Sequence, residues 1–218
     1  MKKTLILVLM AVGAVTLAGC QSGTKKAQTV PVDRVYSGVL PCADCSGIEA
    51  TLLLQQDGSY VEQLVYLDTK DGSRSFHDSG KWNIEGNKLR MTNPKGESTY
   101  FSQSADEQSV TLLDLEGNLI ETQLNYTLER VKPSKKAGQY RYMADAAVFT
   151  ECESGRQYTA SGLELEKAYS KTGVDGGTPV YVEVEGYYTV RPSMEDGQFD
   201  SALVQTGKIN FDKTASCK

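Results

Sequence analysis

Hydrophobic and polar residues alternate along a series of short segments between residues 34 and 131. This alternation, with turn-forming residues between the segments, predicts half-buried β-strands rather than helices. The dipeptide Asp57-Gly58 lies between two of the segments and predicts a β-hairpin. The segments after residue 47 that we assign as strands are Ile48–Gln56, Tyr60–Leu67, Phe76–Trp82, Lys88–Met91, Ser98–Gln103, Val110–Leu115 and Gln123–Leu128. About eight strands at this spacing favour an antiparallel meander closed into a small barrel, because closure removes exposed sheet edges.

Residues 139–218 form a second region that combines strands with one helix. Leu165, Ala168 and Tyr169 follow one another at helical spacing, which predicts a helix over residues 163–171. Ser161 and Glu164 fit a capping box, with Ser161 as the N-cap of that helix. The expected strands lie within Gln139–Thr150, Arg156–Ala160, Val180–Val190 and Ser201–Phe211. Roughly five strands and one helix favour an OB-like barrel, and the pattern equally fits another small β-barrel.

The sequence therefore predicts an all-β protein of two barrels. Residues 34–131 form an N-terminal antiparallel β-barrel domain, and residues 139–218 form a small C-terminal barrel domain with one short helix. Residues 132–138 are charged, contain Pro133 and Gly138, and lack an apolar pattern. We interpret them as an interdomain linker.

The N-terminus has the pattern of an export signal. Met1–Lys3 is basic, Leu5–Leu17 is apolar, and the small residues Ala18 and Gly19 precede Cys20. The apolar run is too short for a membrane span, which needs roughly 20 residues. Leu-Ala-Gly-Cys resembles the lipobox of bacterial lipoproteins, and this resemblance implies that Cys20 is acylated and becomes the new N-terminus.

Residues 1–19 are accordingly expected to be a lipoprotein signal peptide, and residues 20–33 a lipidated flexible tether. Acyl chains on Cys20 would hold the protein on a membrane. Gln21 stands where an inner-membrane retention signal would have Asp. This resembles the pattern that lipoprotein-sorting machinery sends to the outer membrane of Gram-negative bacteria, so we expect a lipid-anchored, periplasm-facing protein.

Charge excludes one class of partner. The chain has 23 basic and 28 acidic residues, and removal of Lys2 and Lys3 with the signal leaves a net charge near −7. No long basic run is present. A negative surface repels phosphate backbones, so we expect no nucleic-acid partner.

Four cysteines remain after Cys20, an even number that favours disulfides in an oxidising compartment. Cys42 and Cys45 form a C-x-x-C motif that has three interpretations. No helix is predicted after the motif to lower a thiol pKa, which disfavours a thioredoxin-like redox centre. Two thiolates suit Cu(I), alone or with the sulfur of Met91 or Met194. A local disulfide would instead pin the loop, and the spacing does not separate this interpretation from a copper site.

Catalysis finds little support in the sequence. Hydrolases of the serine or cysteine type need a base beside the nucleophile, and His77 is the only histidine. Glu183 and Glu185 alternate along a strand, which is typical of a solvated face. We therefore expect a protein that is not an enzyme.

Three segments resemble the NlpE (CutF) family of copper-resistance and envelope-stress lipoproteins. They are Gly38–Glu49 around the C-x-x-C motif, Asn125–Glu129, and Tyr142–Ala147. The resemblance implies a lipocalin-like N-terminal barrel and a C-terminal OB-fold. It also implies copper tolerance and activation of a Cpx-type sensor kinase upon surface contact or lipoprotein mistrafficking.

Domain separation and the same resemblance favour the pairs Cys42–Cys45 and Cys152–Cys217. The second bridge would close a loop of 66 residues, for which chain entropy predicts about 4 kcal/mol. The four-residue loop of the first would gain only about 2 kcal/mol. A protein that reports redox failure would therefore use Cys152–Cys217 as its sensor element.

One alternative function is a carrier of a small apolar ligand, held inside a lipocalin-like barrel. Trp82, Tyr100 and Tyr126 are expected to fill that barrel or to line its ligand site. A purely structural envelope lipoprotein is a third possibility.

Overall fold

A computed structural model describes residues 33–217 of the chain. The predicted signal peptide 1–19, the predicted acylation site Cys20 and the predicted tether as far as Val32 lie outside the described residues. The described elements are β1 Arg34–Leu40, β2 Gly47–Leu54, β3 Ser59–Leu67, β4 Arg74–Glu85, β5 Lys88–Thr92, β6 Ser98–Gln103, β7 Ser109–Leu112, β8 Thr127–Arg130, β9 Ser134–Met143, β10 Ala146–Glu151, β11 Gln157–Thr159, α1 Leu163–Ser170, β12 Val180–Pro192 and β13 Phe199–Asp212. Within this range no helix is long and apolar enough to cross a membrane.

Strands β1–β8 pair in sequence order and close when β8 pairs with β1, which confirms the predicted antiparallel meander barrel. We call it the first barrel. Its interior holds eleven buried side chains that pack against one another. They are Tyr36, Leu40, Ala50, Leu52, Leu54, Tyr60, Leu89, Met91, Phe101, Val110 and Leu128. A barrel of eight strands is just wide enough to be filled by its own side chains.

Strands β9–β13 close into the second barrel in the order β10, β11, β13, β12, β9. Only the short β11–β13 pairing is parallel, and α1 lies between β11 and β12 in sequence. Five strands with this crossover form the OB-like arrangement that the pattern favoured. Tyr140, Phe149 and Leu165 are among the side chains that fill its core.

A third apolar cluster joins the two barrels. Val35, Leu53 and Val61 on the outside of the first barrel pack with Tyr187 and Val190 of the second. All five side chains are buried, with exposures between 0% and 7%. The barrels thus share a dry contact as well as a covalent connection.

The predicted linker 132–138 is largely strand, and this prediction was wrong. β9 starts at Ser134 and pairs with β12 from Ser134↔Gly186 through Gly138↔Val182. Three residues, 131–133, therefore separate β8 from β9. The polar sequence misled because the first part of β9 presents exposed lysine and serine side chains while its backbone completes a sheet.

Two local predictions also fail. Ser161 is not the N-cap of α1; the helix begins after Gly162, whose N–H donates to the Glu166 carboxylate at 3.1 Å. The last strand of the first barrel is Thr127–Arg130 rather than Gln123–Leu128, since residues 121–125 are exposed.

Of the three aromatic residues expected to fill the first barrel, Trp82 packs against its core and donates its indole N–H to the Gln55 carbonyl at 3.0 Å. Tyr100 lies on the outside. It pairs with Arg90, whereas its neighbour Phe101 is fully buried in the core. The prediction that Tyr100 fills the barrel was therefore wrong, because side chains alternate along the strand and Phe101 takes the inward position.

Gly138 tests the corrected start of the second barrel. A Cβ atom at Gly138 would lie 2.4 Å from both the Phe149 ring and the Thr150 carbonyl oxygen. We expect Gly138→Ala to lower the free energy of unfolding by about 1–3 kcal/mol or more through overpacking. Gly162→Ala is the control, because nothing lies within 4 Å of its Cβ position. Thermal unfolding of both variants checks this, and equal midpoints would contradict it.

Candidate functional site

Cys42 and Cys45 lie in the loop between β1 and β2, at one end of the first barrel. The structure joins them in a disulfide, with the two Cα atoms 5.4 Å apart. The Ser46 N–H donates to the Leu67 carbonyl at 3.1 Å, which attaches the loop to the end of β3. Cys42 and Cys45 are half-buried, whereas Asp44 between them is exposed.

The oxidised pair does not fit a metal. A bridged sulfur carries no thiolate, which is the form that binds Cu(I). Within residues 33–217 no group of three or more His, Cys, Asp or Glu side chains could hold a metal ion. Of the two methionines considered as partners, Met91 is enclosed in the core of the first barrel and Met194 is fully exposed in the β12–β13 turn. A copper site here would require reduction of the Cys42–Cys45 bridge.

Cys152 and Cys217 form the second disulfide, with a sequence separation of 65. Cys152 follows β10, and Cys217 ends the segment that follows β13. The Cys152 N–H donates to the Ala137 carbonyl of β9 at 3.0 Å. The bridge thus ties the C-terminal segment to the β10–β11 turn.

An ion pair connects the segments that carry the two disulfides. Arg156, four residues after Cys152, contacts Glu49, four residues after Cys45, at 2.7 Å. The side chains are 49% and 37% exposed, so water screens the pair and its net contribution is at most about 1 kcal/mol. The ion pair mainly serves to hold the β10–β11 turn against β2.

Beside this ion pair lies a cleft of about 530 Å³ between the barrels. On the second barrel its wall is aromatic and cationic: the Tyr158 and Tyr188 rings stack at 4.0 Å, and the Lys136 ammonium lies 4.5 Å from the Tyr188 ring. The Tyr188 hydroxyl donates to the Glu151 carboxylate at 2.7 Å. Residue Glu151 directly precedes Cys152, so the cleft wall and the second disulfide share one turn.

The interior of the first barrel holds an acidic pair that the sequence analysis missed. Glu62 on β3 lies opposite Asp78 on β4, and Tyr60 donates its hydroxyl to Asp78 at 2.9 Å. Burial, with the Asp78 charge beside it, raises the pKa of Glu62 to about 7. Strand alternation could have predicted the inward position of Glu62, because Glu62 lies between Tyr60 and Leu64, which both point inward.

Glu62→Gln should change the pH dependence of stability. Because the folded state holds the Glu62 proton more strongly than the unfolded chain does, wild-type stability falls as pH rises from about 4.5 to about 7. We expect Glu62→Gln to be more stable than wild type at pH 8, by an amount on the order of 3 kcal/mol, and nearly equal at pH 4. Denaturant unfolding at both pH values measures this. The exposed Glu121→Gln serves as control, and a Glu62→Gln difference that is constant with pH would contradict the expectation.

Comparison with known proteins gives a consistent assignment. The fold defines a disulfide-bridged protein of two β-barrels, the first an up-and-down meander and the second of OB type. The model of the NlpE N-terminal domain matches residues 36–123, and that of the NlpE C-terminal OB domain matches residues 130–218. Lipoprotein NlpE of Escherichia coli (strain K12) is 36% identical over 231 residues, covering 99% of this chain and 97% of the relative. The chain belongs to the NlpE family.

A solved structure is also similar to this chain. The crystal structure of the Cpx pathway activator NlpE from Escherichia coli shares 36% identity and a TM-score of 0.38. The alignment covers 85% of this chain and 98% of that one.

Proposed function

We propose that this chain is a lipid-anchored envelope lipoprotein that activates a Cpx-type sensor kinase. The observation that carries the proposal is the near full-length match to the E. coli lipoprotein, a relative described as the Cpx pathway activator. The architecture supports it, because two bridged barrels in contact offer interaction surfaces and redox-sensitive disulfides.

The anchor is the acyl group on Cys20, and residues 20–33 are the tether. Gln21 supports delivery to the outer membrane by the lipoprotein-sorting machinery, with the barrels facing the periplasm. In this proposal surface contact and mistrafficking act by changing whether a tethered chain reaches the kinase.

Redox failure acts through Cys152–Cys217. This bridge closes the longer loop, for which chain entropy gives about 4 kcal/mol, a large share of the roughly 5–15 kcal/mol that stabilises a typical domain. If the bridge fails to form after export, the C-terminal segment is no longer attached to the β10–β11 turn. The second barrel then loosens while the first retains its own packed core.

We therefore expect Cys152→Ala to raise the output of a Cpx-dependent reporter above wild type. The Cys42→Ala, Cys45→Ala variant is the matched control, because its four-residue loop is worth only about 2 kcal/mol and lies in the other barrel. Reporter activity is normalised to the amount of mature lipoprotein in the membrane. Equal output from wild type and Cys152→Ala would refute the redox trigger.

A direct copper site is a second candidate, favoured by the partial exposure of Cys42 and Cys45 at the end of the barrel. In this version Cu(I) is held by the two thiolates once the bridge is reduced. In the oxidised chain copper tolerance is instead indirect, through signalling.

Native mass spectrometry on residues 21–218 separates these cases. We expect periplasmic protein to be four hydrogens lighter than the fully reduced chain and to take up no Cu(I) anaerobically, since both bridges occupy their sulfurs. One copper bound after the Cys42–Cys45 bridge is reduced, and lost in the Cys42→Ser, Cys45→Ser variant, would instead make the first barrel a direct copper site.

The carrier function is less well supported. The space that an apolar ligand would need inside the first barrel is occupied by eleven mutually packed side chains. Extraction of an apolar molecule from purified protein would reopen this alternative.

A further inference from the structure

The outside of the first barrel carries three adjacent rows of side chains across β1, β2 and β3. The rows are Val35, Leu53 and Val61; then Ser37, Thr51 and Gln63; then Val39, Glu49 and Val65. We call these nine residues the β1–β3 outer face. Every row contributes to a contact with the second barrel or to the cleft between the barrels.

The first row is apolar and completely covered. Val35, Leu53 and Val61 are 2–4% exposed, yet they point away from the core of their own barrel. They pack against Tyr187, Val190 and neighbouring residues of the cluster. An outward apolar strip on an antiparallel barrel normally marks an interaction surface.

The other two rows meet the second barrel through polar contacts. Gln63 donates its amide N–H to the Ser201 hydroxyl at 3.2 Å, and Glu49 pairs with Arg156 at 2.7 Å. The cleft lies among these contacts, so this half of the interface is open and polar. An interface that is part apolar and part polar is typical of domain contacts that can separate.

We propose that the β1–β3 outer face is the surface that binds the periplasmic part of the sensor kinase, and that the second barrel covers it in the resting state. This inference rests on the proposed function and names the surface that performs it. Opening exposes the apolar row and frees the Glu49 carboxylate together.

The resting cover indicates the chemistry of the partner. The second barrel presents Tyr187 and Val190 to the apolar row and a guanidinium, from Arg156, to Glu49. A partner that replaces it must present aliphatic or aromatic side chains with a cation beside them. Complementary charge would also steer such a partner toward this chain, which is acidic overall.

The cover is attached to the second disulfide through a single turn. Arg156 and Glu151 both belong to the segment around Cys152, and Glu151 accepts the Tyr188 hydroxyl beside the cleft. Loss of the Cys152–Cys217 bridge would loosen this turn and weaken the Arg156 contact. The redox trigger and the covered face are thereby linked by neighbouring residues.

The test reverses one charge on the cover and leaves the proposed binding face unchanged. We expect Arg156→Glu, placed opposite Glu49, to open the interface and to raise Cpx reporter output roughly three- to five-fold in cells producing the full chain. Adding Glu49→Lys to Arg156→Glu restores an ion pair of opposite sense and should close the interface again, so that Tyr187 is protected as in the wild type. Hydroxyl-radical footprinting of the purified mature chain measures opening directly, through oxidation of Tyr187.

Two further variants separate opening from binding. Lys135→Glu reverses the Lys135–Glu183 pair, which lies within the second barrel, and should leave footprint and output at wild-type values. Adding Leu53→Asp to Arg156→Glu should keep the interface open but silence the reporter, because the apolar row is then interrupted.

The outcomes are distinguishable. An Arg156→Glu chain whose Tyr187 becomes accessible without a rise in output, while Cys152→Ala does signal, overturns the surface assignment and leaves the proposed function standing. Full signalling by the Arg156→Glu, Leu53→Asp chain overturns it as well. If no variant and no level of wild-type chain alters the reporter, the proposed function fails and the inference fails with it.

Discussion

Side chains on the two faces of β1–β3 pack against different partners, and the remaining architecture depends on this division. Tyr36, Leu52 and Tyr60 point inward and help to fill the first barrel, whereas Val35, Leu53 and Val61 point outward against the second. Because successive side chains alternate, a one-residue shift in register would exchange these two sets. The same pairing therefore closes one barrel and positions the other.

Because β1–β3 pack on both faces, some features of the fold could be predicted from the sequence and others could not. Turn residues and alternating patterns were sufficient for the eight-stranded meander, the five-stranded barrel and the short helix, because those signals are local. The consecutive apolar residues Leu52, Leu53 and Leu54 were a further signal in the sequence. They indicate a strand buried on both faces, and this was the one local sign that something covers the first barrel.

The failed predictions have a common physical origin. Ser134–Gly138 looked like a linker because its side chains are polar, although its backbone pairs with β12. Ser161 fitted a capping box, but Glu166 satisfies the start of the helix from within it. In both cases the deciding hydrogen bonds, between strands in the first and within the helix in the second, are not revealed by composition.

The candidate site was only half predictable. The cysteines could be paired by domain and by family, and the structure has the same two pairs. The Glu49–Arg156 contact could not be foreseen, because 107 residues separate its partners and each looks like an ordinary surface charge. Such a long-range pair depends on how two finished barrels dock, which no local pattern encodes.

The short connection between the barrels sets the local concentration at which the second barrel covers the first. With three residues between β8 and β9, and Val131 bonded to Val35 through its N–H at 2.8 Å, the second barrel cannot move far from the first. Rebinding is then intramolecular, at an effective concentration on the order of millimolar that does not change with expression level. A competing partner must overcome that local concentration. The partner concentration needed to displace the second barrel is therefore a property of each molecule. A higher abundance of the protein would increase the number of molecules that can open, but each molecule would open no more easily.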